Sequence, residues 1–262
     1  MDGRPLVVGI VNVTPDSFSD GGRFAEPARA IAQGLRLRDE GADIVDIGGE
    51  STRPRAAPVA AAEELRRVMP VLEALAKEGV AVSVDTLKPE VMRAAIDAGC
   101  AVVNDVNGFR APGAVEAVAG AEVGVIVMHM QGTPATMQEA PRYDDVAAEV
   151  GAFLVDRARA LEAAGVEAGR IAIDPGFGFG KTLEHNRTLF RALPRLASLG
   201  YPVLAGVSRK KMIGDLTGRP VEERVAGSVA AALLAVQNGA SLVRVHDVRE
   251  TVDAINVWMG LR

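Results

Sequence analysis

The chain has 262 residues, of which 48% are hydrophobic and only 4% aromatic, and it carries a net charge of −5. That apolar content excludes a disordered chain and suits one core filled by Ala, Val, Leu and Ile. The acidic balance excludes a general nucleic-acid surface, which would show a basic excess.

Taken in chain order, one pattern recurs: a helical segment, a glycine, a short β-rich run, then a polar turn. The opening run, 6–13, predicts the first strand. A helix over 28–40 ends at Gly41 and leads to a strand over 44–47. Helix 61–77 and Gly79 lead to strand 80–84, helix 89–98 and Gly99 to strand 101–103, and helix 112–119 and Gly120 to strand 123–128. Helix 144–164 and Gly165 lead to strand 171–173, helix 184–198 and Gly200 to strand 203–204, and helix 221–238 and Gly239 to strand 242–245. A last helix covers 248–259. Each glycine stands where a helix C-terminus favours a left-handed residue. Leu65, Val68, Met69 and Leu72 show the three-and-four spacing of a buried helical stripe. Eight strands alternating with eight helices predict an α/β fold: a single-domain (β/α)8 TIM barrel over 1–262, with its active site at the C-terminal ends of the strands. An open doubly wound sheet is the alternative, but its glycine fingerprint is missing after the first strand.

No run approaches the roughly 20 apolar residues of a membrane span, and no signal peptide is expected before the first strand. The one cysteine, Cys100, allows no intrachain disulfide and suits a reducing, cytoplasmic setting. It follows Gly99 at the start of an apolar run and reads as a buried small hydrophobe.

The strand ends in turn supply Asn12, Gly48-Gly49-Glu50, Asp85, Asn104, His129, Asp174, Ser208, and finally Arg244 with His246. Asp85 and Asp174 each read either as a helix cap or cation partner, or as acceptors for a ligand. With Asn104 they would offer the array that an amino-pyrimidinone edge needs, and polar pairing of that kind confers selectivity. Ser208-Arg209-Lys210-Lys211 follows the seventh strand, and loops seven and eight are the usual phosphate site of barrels. Lys210, Arg244 and His246 are therefore candidates to gather around an anion, whereas Arg209 and Lys211 also read as a solvated basic turn. The loops after strands one and two are long and polar, and suit lids over the mouth. Phe18 in the first is an aromatic without a helical partner. Gly176-Phe-Gly-Phe-Gly-Lys-Thr fails as a nucleotide P-loop, because position 175 is Pro175. Its glycines read as shaping a loop, with Phe179 lining the mouth. His129 reads as a loop hydrogen-bonder and His185 as structural; three scattered histidines do not make a zinc site. An oxygen-liganded Mg²⁺ is the more credible metal, with Asn12 as a ligand.

Asn12-Val-Thr-Pro-Asp-Ser-Phe-Ser-Asp-Gly-Gly, Gly48-Gly-Glu-Ser-Thr-Arg-Pro, Ser83-Val-Asp-Thr, Met128-His-Met-Gln-Gly-Thr-Pro, Asp174-Pro-Gly-Phe-Gly-Phe-Gly-Lys, Gly206-Val-Ser-Arg-Lys and Arg244-Val-His-Asp-Val, in that order, resemble the dihydropteroate synthases over almost the whole chain. The resemblance implies a transferase of folate biosynthesis that joins a dihydropterin pyrophosphate to para-aminobenzoate. It implies a pterin pocket of Asp85, Asn104, Met128, Asp174, Gly206 and Lys210, and a pyrophosphate site of Asn12, Arg53, Arg244 and His246, with Mg²⁺ at Asn12. It implies a para-aminobenzoate pocket of Phe18, Thr52, Arg53, Pro54, Phe179, Ser208 and Lys210. Lys210, Asp85, Asp174 and Arg244 would carry the catalysis, and sulfonamides would mimic the arylamine. Lys211, Arg55 and Asn107-Gly-Phe-Arg depart from the family's usual residues. Segment 221–238 is more apolar than one buried stripe requires, which predicts a homodimer through this seventh helix and a neighbour. The competing readings are a pterin-dependent methyltransferase domain and a pterin- or phosphate-binding barrel without turnover.

Overall fold

The computed structural model describes residues 3–14, 25–52 and 56–262. Among them, strands β1 (Leu6–Asn12), β2 (Ile44–Gly48), β3 (Val82–Asp85), β4 (Val102–Asp105), β5 (Gly124–Met128), β6 (Ile171–Asp174), β7 (Leu204–Ala205) and β8 (Leu242–Val245) form one parallel sheet. Its order is β6-β5-β4-β3-β2-β1-β8-β7. The ring closes where Ile173 bridges Val203 and the Ile173 N–H donates to the Pro202 carbonyl at 2.9 Å. The expected eight-stranded barrel is therefore present.

The period of two along each strand divides the core in two. One set of alternate residues packs outward against the helices, among them Val45, Ile47, Val82, Val84, Val103, Val125, Val127, Ile173 and Val243. The other set points into the barrel. Near the N-terminal ends of the strands it is apolar: Val8, Ile126, Ala172, Leu204 and Leu242, with Leu6, Ile44 and Val102 against them. Further along the same strands it turns polar, at Asp46, Ser83, Asn104, Asp174 and Arg244.

The outer layer comprises α1 (Ala25–Asp39), α2 (Ala61–Lys77), α3 (Pro89–Asp97), α4 (Ala114–Val118), α5 (Val146–Ala163), α6 (Leu183–Arg191), α7 (Leu193–Ala197), α8 (Lys211–Thr217), α9 (Val225–Gln237) and α10 (Val248–Leu261). Three expectations need correcting. Segment 184–198 is two helices, because Pro194, which has no N–H to donate, starts a new one at α7. Segment 221–238 begins as a 3-10 turn over Val221–Glu223 and becomes α-helical only at Val225. Helix α8 was not foreseen; it is one of the short ones and is stopped by Gly218 at φ 70°. Elsewhere the caps match their side chains. Asp145 accepts the N–H groups of Ala147 and Ala148 at 3.0 Å, and Thr182 and His185 form a reciprocal capping box on α6. That gives His185 the structural place expected of it. Cys100 is buried, and burial pushes its thiol up to about 11. No described helix is long and apolar enough to cross a membrane.

Candidate active site

The strand ends bring the charged residues to one mouth. Arg244 on β8 reaches across the barrel. Its Nε donates to Asp46 Oδ2 at 2.6 Å and its Nη2 to Asp85 Oδ2 at 2.9 Å. Both acids lie on neighbouring strands, with Gly48 of β2 in register with Asp85 of β3, and Asp85 with Asn104 of β4. Asp46 is wholly buried. Burial raises the Asp85 pKa above the ordinary carboxylate range, against the opposing pull of Arg244. Burial works against the Arg244 charge too, but Asp46 and Asp85 outweigh it and hold the guanidinium above its usual pKa.

Gly206, just past β7, marks the centre of a second group. A Cβ there would lie 3.7 Å from Lys210 Nζ, 3.8 Å from Asp174 Oδ2 and 3.9 Å from the Arg244 Cβ. Lys210 Nζ donates to the Phe177 carbonyl at 2.5 Å and sits 4.7 Å from the Phe179 ring centre. Burial lowers the Lys210 pKa to about 8, and Asp174 opposes that fall. Asp174 is raised by its own burial while Lys210 and the Gly176 N–H draw it back; that N–H bond to Oδ1 is 2.7 Å. Asn104 is buried as well, and its Oδ1 has no partner within the protein. A buried acceptor left open is costly unless a ligand satisfies it. Met128 and Phe179 share an apolar cluster with Val106, Met130, Met137 and Leu87. The mouth thus pairs a polar edge-binding array with an apolar wall, as a flat heterocycle requires.

The surrounding loops are held closely. Gly176 has φ 66°, and a Cβ on it would lie 2.0 Å from the His129 carbonyl oxygen, so only glycine fits. Lys181 fills the space beneath, donating to His129 Nδ1, the Gly176 carbonyl and the Phe179 carbonyl, each at 3.0 Å. Burial and the Lys181 charge push His129 down to about 3, so its ring stays neutral and accepts this bond. The glycine run after β6 is therefore a packing device joined to loop five. Ser208 Oγ contacts His246 Nδ1 at 3.0 Å and accepts the His246 N–H at 3.2 Å, tying loops seven and eight together. Arg209 is not a solvated turn residue: it pairs with Asp247, with Nε–Oδ2 at 3.0 Å. Lys211 pairs with Asp215 on the surface of α8. Asn107-Gly-Phe-Arg packs firmly: Asp105 accepts the N–H groups of Asn107 and Phe109 at 2.7 Å, and Phe109 is buried.

Asn12 ends β1 in register with Gly48, and Thr52 is half-buried after β2. Phe18, Arg53, Pro54 and Arg55 lie outside the described residues. Sequence reasoning missed Asp46, Ser83 and Lys181. The signal for the first two was available: each is a polar residue at an inward alternate position of an otherwise apolar strand.

Residues 8–246 match the family described as pterin binding enzyme. The dihydropteroate synthase of Escherichia coli K12 is 49% identical over 255 residues, covering 97% of this chain and 90% of that protein. The chain belongs to the dihydropteroate synthase family. A solved structure of the Xanthomonas albilineans dihydropteroate synthase with 4-aminobenzoic acid superposes with a TM-score of 0.93 at 59% identity, covering 98% of this chain and 93% of that one. A second structure of the same family from that organism, in complex with 7,8-dihydropteroate, gives 0.90 at 57% identity, covering 98% and 94%. Synthase-family barrels thus share this architecture over nearly their whole length.

Proposed function

We propose that the chain condenses 6-hydroxymethyl-7,8-dihydropterin pyrophosphate with para-aminobenzoate to give 7,8-dihydropteroate and pyrophosphate. The observation that carries this reading is the gathering of Lys210, Asp174 and Arg244 around Gly206, each within 3.9 Å of where its Cβ would stand. Asp85, Asn104 and Asp174 present acceptors to the N–H groups of the pterin edge, and the Lys210 ammonium faces its carbonyl. Gly206 leaves the space for the ring, and Met128 lies against one face. Arg244 borders the same space with its Cβ, and its guanidinium is oriented by Asp46 and Asp85.

In the reaction the arylamine nitrogen bonds to the pterin methylene, the carbon–oxygen bond breaks, and the oxygen leaves with the diphosphate. The nitrogen then loses a proton to solvent. An arylamine is neutral at physiological pH, so no strong base is needed. Charge develops on the departing diphosphate, where Arg244 and, from its sequence position, Arg53 are the cations to meet it, with His246 as a hydrogen-bonding partner. Positive charge develops on the methylene, where the buried carboxylates Asp85 and Asp174 lie close. Thr52, Ser208, Phe179 and Lys210, with Phe18 and Pro54, are the residues for the arylamine, and for sulfonamides that imitate it.

The donor set suits Mg²⁺ brought in by the diphosphate. Among the described residues no three His, Cys, Asp or Glu side chains converge, so those residues offer no cage of their own. Asn12 supplies one hard oxygen at the end of β1, and diphosphate and water can provide the others. When bound, such an ion neutralises charge on the leaving group. A homodimer is supported by the apolar surface that Leu234 of α9 and Val257 and Leu261 of α10 expose.

The test is to incubate the purified protein with both substrates and Mg²⁺. Dihydropteroate and pyrophosphate should appear in equal amounts. Pyrophosphate without the coupled product, or no turnover, would overturn the reading.

A further inference from the structure

The loop after β2 is rooted in charged groups that the reaction does not use. Glu50 opens the loop, and its carboxylate holds both ends. Oε1 accepts the Val59 N–H at 3.3 Å, where the loop returns toward α2, and Oε2 meets Lys88 Nζ. The same ammonium donates to Glu64 Oε2 on α2 at 2.5 Å. Lys88 itself is the N-cap residue of α3, three residues beyond Asp85, and its N–H donates to Thr86 Oγ1 at 3.2 Å. The root is pressed against α2: a Cβ on Gly49 would lie 2.7 Å from Val68 Cγ1, and Arg67 Nη1 donates to the Gly49 carbonyl at 2.8 Å.

Stability does not account for this cluster. Glu64 is fully buried and its Oε1 has no partner in the protein. Burial disfavours the Lys88 charge, and the two carboxylates more than restore it, holding its pKa above the ordinary value. Two acids share one base, and one of them, Glu64, is fully buried. Apolar side chains of similar volume would generally serve stability as well or better. What the ions supply is geometry. Lys88 is joined through the backbone to the strand end that holds Asp85, and through Glu50 to both ends of the neighbouring loop.

We infer that Lys88 is a positioning residue: by joining Glu50 to Glu64, it fixes the two described ends of the loop after β2, at Glu50 and Val59, against the strand end carrying Asp85, and so sets how well the arylamine is held beside a bound pterin. This rests on the proposed reaction. The Lys88 ammonium bonds Glu50 and Glu64, neither of them in the pterin array, so the first substrate should sense its loss far less than the arylamine does.

The test compares Lys88→Met, Lys88→Arg and Glu50→Gln with the unaltered protein, each checked for a cooperative thermal transition. Lys88→Met should raise the KM for para-aminobenzoate about tenfold or more, since small displacements of a positioning element are felt strongly. The Kd of dihydropterin pyrophosphate, measured by calorimetry, should stay within about threefold. Lys88→Arg should restore the KM, because it keeps the charge and both bonds. Glu50→Gln leaves Lys88 paired with Glu64, so it should fold even if Lys88→Met does not, and should raise the KM by about threefold. An unchanged KM in the folded variants would overturn the inference. So would equal losses for both substrates, or no rescue by arginine. Failure of the unaltered protein to make dihydropteroate would instead strike the proposed reaction.

Discussion

The two ends of the barrel are built from the same strands and do opposite things. At the N-terminal end the inward positions are Val8, Ile126, Ala172, Leu204 and Leu242, which pack together and exclude water. Two residues further along, β6 turns from Ala172 to Asp174 and β8 from Leu242 to Arg244. The first layer stabilises the fold by removing apolar surface from water, at about 25 cal/mol per Å². The second buries charge and leaves Asp46 Oδ1, Ser83 Oγ and Asn104 Oδ1 without protein partners, which costs stability. Stability and chemistry are therefore separated by one step of the strand repeat, and substitutions in the two layers should have opposite signatures.

The largest effect should come from the polar layer. Lys210→Ala and Asp174→Asn should each lower kcat/KM by about 10²–10³-fold, or roughly 3–4 kcal/mol, measured by pyrophosphate release. Their melting temperatures should hold or rise, because each removes a buried group whose charge the site disfavours. Near-normal rates would break the contrast. Next, Leu204→Ala in the apolar layer should cost about 2–5 kcal/mol in urea unfolding, with KM values within about twofold of the original. A loss of activity without a loss of stability would show that the layers are not independent. The smallest effect sharpens the contrast by pH. Burial brings Lys210 to about 8, so its ammonium is fully present well below that pH and is lost as pH rises through it. The rate should then fall on an alkaline limb near pH 8, and Lys210→Arg should move that limb upward, because a guanidinium stays charged there. An identical limb in both proteins would assign it to another group.

Much of this was legible before any coordinates, for physical reasons. Strands of period two separated by helices that end in glycine leave few topologies, and the barrel is the one that closes. In a barrel the last inward residue of each strand must face the mouth, so Asp85, Asn104, Asp174 and Arg244 could be read from strand ends. Asp46 obeys the same inward alternation but lies mid-strand, where a strand-end rule does not reach it. Pro194 hid a helix break inside an amphipathic run, where the apolar spacing continues across it. Helix α8 is too short to show a period. Lys88 lies 38 residues from Glu50 and 24 from Glu64, with no local pattern to join them. Such a cluster is written only in tertiary contacts. The readings at Phe18, Arg53 and Pro54 fall outside the described residues.

Strand β7 is two residues long, and the single bridge toward β6 is made by Val203, the residue just before it. That makes the β6–β7 boundary the thinnest seam in the ring of backbone hydrogen bonds. Asp174 ends one side of the seam, Gly206 and Lys210 follow the other, and Lys210 already crosses it to the Phe177 carbonyl. A ring gripped by Asp174 and Lys210 together would act as a rivet across this joint, so occupancy of the mouth and tightness of the cylinder become one thermodynamic quantity.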